Sequence, residues 1–139
     1  MDTIKDFGDQ FNKYHDISGV WGSNEILEDF VYPFDLKKIK NKTICEVGTG
    51  SGRLLKNFLN YNPKSITAID PADCIEIAKK NNDGKNIEYL QIDSTKMNIH
   101  DKYDYVFSIG VIHHIPDAEK AVANIHKSLK SGGKFIMWV

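Results

Sequence analysis

The chain has 139 residues, 41% of them hydrophobic and 27% charged, with a formal net charge of −1. That length holds one domain with a proper core and is short for two, and the composition is that of a globular chain rather than a disordered or fibrous one. The charge balance lacks the basic excess that drives sequence-independent binding to phosphate backbones, so no nucleic-acid partner is expected. Cys45 and Cys74 lie far apart and form no C-x-x-C, which reads as two reduced, buried thiols. The N-terminus "MDTIKDFGDQ" has no apolar signal core, and no apolar run approaches about 18 residues, so a cytoplasmic chain without membrane contact is expected.

The first 41 residues are rich in aromatics and read as helices over Thr3–Tyr14 and Ser23–Phe34, joined by "HDISGVWGS". They are expected to form an N-terminal helical cap, residues 1–41, ahead of an α/β domain, residues 42–139. Tyr14, His15, Trp21 and Phe30 interleave with polar residues there, and two readings stand open. Either they pack a helix on the body, or they close over a ligand with Gly19 and Gly22 as hinge points.

From Lys42 onward, short β-rich runs alternate with helical patterns. "TICEV" (43–47) predicts a first strand, and "GRLLKNFLNY" then carries Leu54, Leu55, Phe58 and Leu59 on one helical face. "SITAID" (65–70) predicts the second strand, and "PADCIEIAKKNN" the next helix, with Pro71 in its first turn and Cys74, Ile75 and Ala78 on one side. "IEYLQID" (87–93) and "YDYVFSIG" (103–110) are the third and fourth strands, separated by a loop or single turn over "STKMNIHDK". Asp117 then caps "AEKAVANIHKSLK", whose stripe is Ala118, Ala121, Val122, Ile125 and Leu129. Gly132 and Gly133 are expected to end that helix, and "KFIMWV" to start a fifth strand.

Near-continuous apolar strands alternating with helices predict a doubly wound, mostly parallel sheet covered on both faces. Ligands of such sheets sit beyond the carboxyl ends of the strands. Gly48, Gly50 and Gly52 mark the turn where the first strand gives way to a helix, where backbone N–H groups stand free. The third glycine comes one residue earlier than in G-x-G-x-x-G, and Arg53 stands in its usual place. Glu46, Asp70 and Asp93 fall at the ends of three successive strands, around one crevice. Three carboxylates repel a bare diphosphate and suit a cationic ligand that carries a ribose.

The series "EVGTGSGR", "AID", "QIDST", "YDYVFSIGVIHHIPD" and "LKSGGKFIMWV" resembles, in order and spacing, the motifs of class I S-adenosylmethionine-dependent methyltransferases. The resemblance covers roughly residues 42–139 and implies a Rossmann-like methyltransferase fold with S-adenosyl-L-methionine as cofactor. By that likeness Glu46 and the turn of Gly48, Thr49, Gly50 and Gly52 hold the methionine part. Asp70, with Pro71 after it, takes the ribose hydroxyls. Asp93 accepts from the adenine amino group beside the Ser94 N–H, and carbonyls near Ser108 and Ile109 complete the ammonium site.

His113 and His114 fall where the family places its substrate-side loop, and His114 is the candidate general base, with His113 second. No metal is expected. Adjacent residues on an extended loop point apart, and Gly110-x-x-His113-His114 lacks both carboxylates of the E-x-x-E-H site of ubiquinone-biosynthesis O-methyltransferases. The implied reaction is methyl transfer to a small-molecule acceptor. A catalytically incompetent binding or assembly module and a nicotinamide-dependent oxidoreductase are the alternatives. The family's sheet has seven strands, and this chain stops at Val139 within the fifth. Missing C-terminal strands are therefore expected, with a homo-oligomer or a partner completing the sheet edge.

Overall fold

The computed structural model of the chain describes residues 2–13, 19–82 and 86–139. Tyr14 and His15, two of the aromatic-segment candidates, lie outside the described residues. Five strands form one sheet: β1 (Thr43–Val47), β2 (Ser65–Asp70), β3 (Ile87–Gln91), β4 (Tyr103–Ile109) and β5 (Leu129–Trp138). Their order is β3-β2-β1-β4-β5 and every neighbouring pair is parallel. The order reverses between β1 and β4, so the topological switch point lies beside the glycine turn.

The strands are apolar on both sides because both sides are covered. In β1, Ile44 belongs to one core while Cys45 and Val47 belong to the other. The first core gathers Leu27 and Val31 of α2 (Asn24–Val31), Phe58 of α3 (Leu55–Leu59) and Ala78 of α4 (Ile75–Asn81). The second gathers Ile125 of α5 (Ala118–Ser128) with Met97, Ile69 and Val106. Phe58 is fully buried, and burial of such a side chain contributes about 1.5–3 kcal/mol. This is the doubly wound, Rossmann-like fold that the alternation predicts. The remaining helix, α1 (Thr3–Lys13), lies over the carboxyl edge of the sheet. Cys45 and Cys74 are both free thiols in buried positions. No helix among the described residues is long and apolar enough to cross a membrane.

Several boundaries differ from the sequence expectation, each for a local reason. The helix after the glycines begins only at Leu55, because Gly52 N–H bonds to Thr49 O at 2.8 Å and Leu55 N–H to Gly52 O at 3.2 Å. The next helix begins at Ile75 rather than at Pro71, since the Ala72 N–H donates to the Asp70 side chain instead. β3 stops at Gln91, two residues short of Asp93, which caps a 3₁₀ turn over Ser94–Lys96. α5 ends at Ser128, four residues before the glycines, because its last carbonyls accept from Asp101 and Lys102 N–H at 3.0 and 2.8 Å. Leu129 therefore opens β5, and Val122 of the expected stripe is exposed.

Candidate functional site

A cavity of about 770 Å³ opens where the carboxyl ends of β1, β2 and β4 meet the turn after β3. Glu46, the penultimate residue of β1, is 3% exposed, and its Oε2 accepts the Thr49 hydroxyl at 2.6 Å. Burial pushes its carboxyl up to about 7, against the opposing effects of that hydrogen bond and of the Arg53 charge. Asp70 ends β2 and is also buried. Its Oδ2 accepts the Gly50 N–H at 2.9 Å and its Oδ1 the Ala72 N–H at 3.0 Å. Burial raises the Asp70 carboxyl too, and these two bonds act against it. Asp93 Oδ1 accepts both the N–H and the hydroxyl of Thr95, at 2.8 and 2.9 Å.

Two of the glycines are required by close approach. A Cβ on Gly50 would stand 2.9 Å from the ring of Phe11, and the φ of that residue is +54°. A Cβ on Gly52 would meet Asn82 Nδ2 at 2.6 Å and the Ala78 Cβ at 2.9 Å, so this glycine lets α4 pack against the turn. Asn82 fastens the same contact by donating to Gly52 O at 2.8 Å.

Of the residues singled out from the sequence, Glu46, Gly48, Thr49, Asp70 and Pro71 line the cavity. So do Asp93, Ser94, Ile109, His113 and His114. Gly50 lies beneath Phe11 and Gly52 faces α4. Ser108 is buried within the sheet, its hydroxyl donating to Val47 O at 3.1 Å. Phe30 packs on Trp138, with ring centroids 4.6 Å apart, and Trp21 is largely exposed.

The sequence reading missed Phe7, Phe11, Arg53 and Trp138 on the wall. Phe7 and Phe11 stand four residues apart on α1 and so share a face, which was the available signal. α1 is seated by Gly8, where a Cβ would lie 3.2 Å from that of Ala72, and by Asn12 Nδ2, which donates to Asp73 Oδ1 at 3.0 Å. Arg53 donates to the Trp21 carbonyl at 2.5 Å, with its guanidinium 5.8 Å from the Phe30 ring centroid.

The expectation that the paired histidines point apart is corrected. Ile112–His114 forms a 3₁₀ turn rather than an extended loop, and the two imidazoles have centroids 4.0 Å apart. The His114 ring also lies 4.8 Å from that of Phe7. Among the described residues, no three His, Cys, Asp or Glu side chains gather as a metal site. Two buried carboxylates and the Asp93 carboxylate face one space, with a single guanidinium beside them. That donor set fits a ligand bearing a positive charge and sugar hydroxyls.

Comparison with known proteins gives a consistent picture. The methyltransferase-domain family model matches residues 45–137. A tRNA U34 carboxymethyltransferase of Nautilia profundicola is 32% identical over 103 residues, covering 71% of this chain and 34% of its own length. A ubiquinone biosynthesis O-methyltransferase of Hydrogenovibrio crunogenus is 27% identical over 139 residues, covering 94% of this chain and 56% of its own. A Methanococcus maripaludis structure described as an S-adenosyl-L-methionine-dependent methyltransferase superposes with a TM-score of 0.74 at 28% identity, covering 96% of this chain and 61% of that one. The chain thus spans about a third to a little over half the length of these curated relatives.

One expectation is overturned here. Further relatives at 27–28% identity also carry the name tRNA U34 carboxymethyltransferase, so the exclusion of nucleic acid in favour of a small-molecule acceptor does not stand. Its physical basis was too coarse, because a net charge of −1 is a sum over the whole chain and does not register a local phosphate contact. The nicotinamide alternative finds no counterpart in these matches.

Proposed function

The chain belongs to the class I S-adenosylmethionine-dependent methyltransferases, and from that premise we propose that its cleft binds S-adenosyl-L-methionine for transfer of the cofactor's methyl group. The observation that carries this reading is the convergence on one cavity of Glu46 from β1, Asp70 from the end of β2 and Asp93 from the turn after β3. When bound, the cofactor supplies an electrophilic methyl group on a positively charged sulfur. Glu46 faces its ammonium, Asp70 its ribose hydroxyls, and Asp93 with the Ser94 N–H its adenine. Glu46 is buried with a hydroxyl as its partner, so an arriving cation holds it ionised. Asp70 Oδ2 is engaged once, by the Gly50 N–H, and keeps a second lone pair for a hydroxyl, whereas Oδ1 accepts both the Ala72 N–H and the Cys74 thiol.

What the chain's own residues contribute is alignment and exclusion of water. α1 acts as a lid, with Phe7 and Phe11 roofing the cavity. His114 stands at the acceptor side, and one of its ring nitrogens takes the proton that the acceptor loses. The similarity to relatives named for tRNA U34 supports an RNA nucleoside as that acceptor.

The test has two steps. The first is thermal unfolding with S-adenosylhomocysteine, which at 100 times its dissociation constant stabilises a fold by about 2.7 kcal/mol. The second is incubation with methyl-labelled cofactor and bulk tRNA. Binding with label transfer supports the whole reading. Binding without transfer, even in single turnover, leaves a cofactor-binding module, and no stabilisation removes the assignment.

A further inference from the structure

Asn124 lies in α5, and its Nδ2 donates to the Ser94 carbonyl at 3.0 Å. The other donor to that oxygen is the Met97 N–H, at 3.3 Å. The Ser94 carbonyl shares a rigid peptide plane with the Thr95 N–H. That N–H donates to Asp93 Oδ1 at 2.8 Å, and the Thr95 hydroxyl joins it on the same oxygen at 2.9 Å. One planar unit is therefore gripped at its carbonyl end by a helix from the far side, while its amide end grips the carboxylate on the cavity wall. Both of these hydrogen bonds to Asp93 fall on Oδ1 and leave Oδ2 out of them.

We infer that Asn124 is a positioning residue for base selectivity: by holding the 94–95 peptide, it aims Asp93 so that the site accepts a six-amino purine and rejects a six-oxo one. This rests on the reading of Asp93 as the partner of the adenine amino group. An amino group donates to the carboxylate, whereas an oxo group at the same place sets oxygen against oxygen and leaves a part-buried acceptor opposed. With the peptide released, the carboxylate turns with it, and the penalty on the oxo form falls.

The test is a calorimetric titration of S-adenosylhomocysteine and of its inosine counterpart into the full chain and into Asn124→Ala and Asn124→Leu, with circular dichroism melts to establish folding. The unmodified chain is expected to prefer the adenine form by about tenfold or more, as for a hydrogen bond to a charged group. Both variants are expected to lower that ratio by about threefold or more, since both lack the donor although Leu keeps most of the volume. A general loosening would weaken both ligands in proportion and leave the ratio unchanged. An unchanged ratio in a folded variant overturns the inference, as does unfolding of both variants, which would make the role purely structural. Binding of both forms equally by the unmodified chain removes the role of Asp93 and this inference with it. Absence of any binding to the unmodified chain instead marks failure of the proposed function itself.

Discussion

Phe11 lies across Gly50, with the atoms of its ring 2.9 to 3.3 Å from where a glycine methyl group would stand. The N–H of the same glycine donates to Asp70 at 2.9 Å. The helix that roofs the cavity and the carboxylate assigned to the ribose therefore meet at a single backbone residue. Displacing α1 is therefore expected to disturb the geometry at Asp70 through Gly50.

Gly50→Ala is expected to lift α1 and to strain the turn. The left-handed backbone alone costs about 1–2 kcal/mol for a residue with a side chain. Both the melting temperature and the affinity for S-adenosylhomocysteine are expected to fall, and Phe11→Ala in the same chain to restore part of the stability. Thermal melts and titrations of the single and double variants measure this. Independent, additive effects of the two changes would show that the contact carries no coupling.

Glu46 sets stability and function in opposition. Its ordinary carboxyl value of 4.5 rises to about 7 on burial, so between those values the empty folded protein holds a proton that the unfolded chain has released. The resulting stabilisation is full below about 4.5 and is lost as pH rises through about 7. Above pH 7 the ionised group burdens the empty fold by as much as about 3 kcal/mol, at 1.36 kcal/mol for each pH unit. Glu46→Gln is therefore expected to stabilise the empty protein at pH 8, to change it little at pH 4.5, and to weaken cofactor binding at pH 8. Urea unfolding at the two pH values, with titrations alongside, checks all three; a variant less stable at pH 8 would contradict this account.

Much of this was legible in the sequence because it is written locally. Thr43–Val47 and Ser65–Asp70 are apolar on both faces, and their boundaries emerged without change. That Glu46, Asp70 and Asp93 share one cavity could be read because the ends of parallel strands and the turns after them lie along one edge. What stayed hidden is long-range. Nothing near Phe11 indicates Gly50, and nothing near Asn124 indicates Ser94, since such pairs are set by how elements dock. Gly52 was readable as a turn glycine, but its partners Ala78 and Asn82 come from a separate helix. The shift of Leu129 from helix to strand depended on Asp101 and Lys102, which cap α5 from another loop.

His114→Ala is expected to reduce turnover by about 100-fold or more, the scale of lost acid–base catalysis, while leaving the affinity for S-adenosylhomocysteine within about twofold. Unchanged turnover in His114→Ala would assign the histidine to packing against Phe7, 4.8 Å away.

The most direct measurement is a calorimetric titration of S-adenosylhomocysteine into the unmodified chain and into Asp70→Ala. The cleft described here predicts one site per chain, and a loss of about tenfold or more in affinity when the carboxylate is removed. Equal affinity in the two proteins, or no heat of binding in the first, would contradict it.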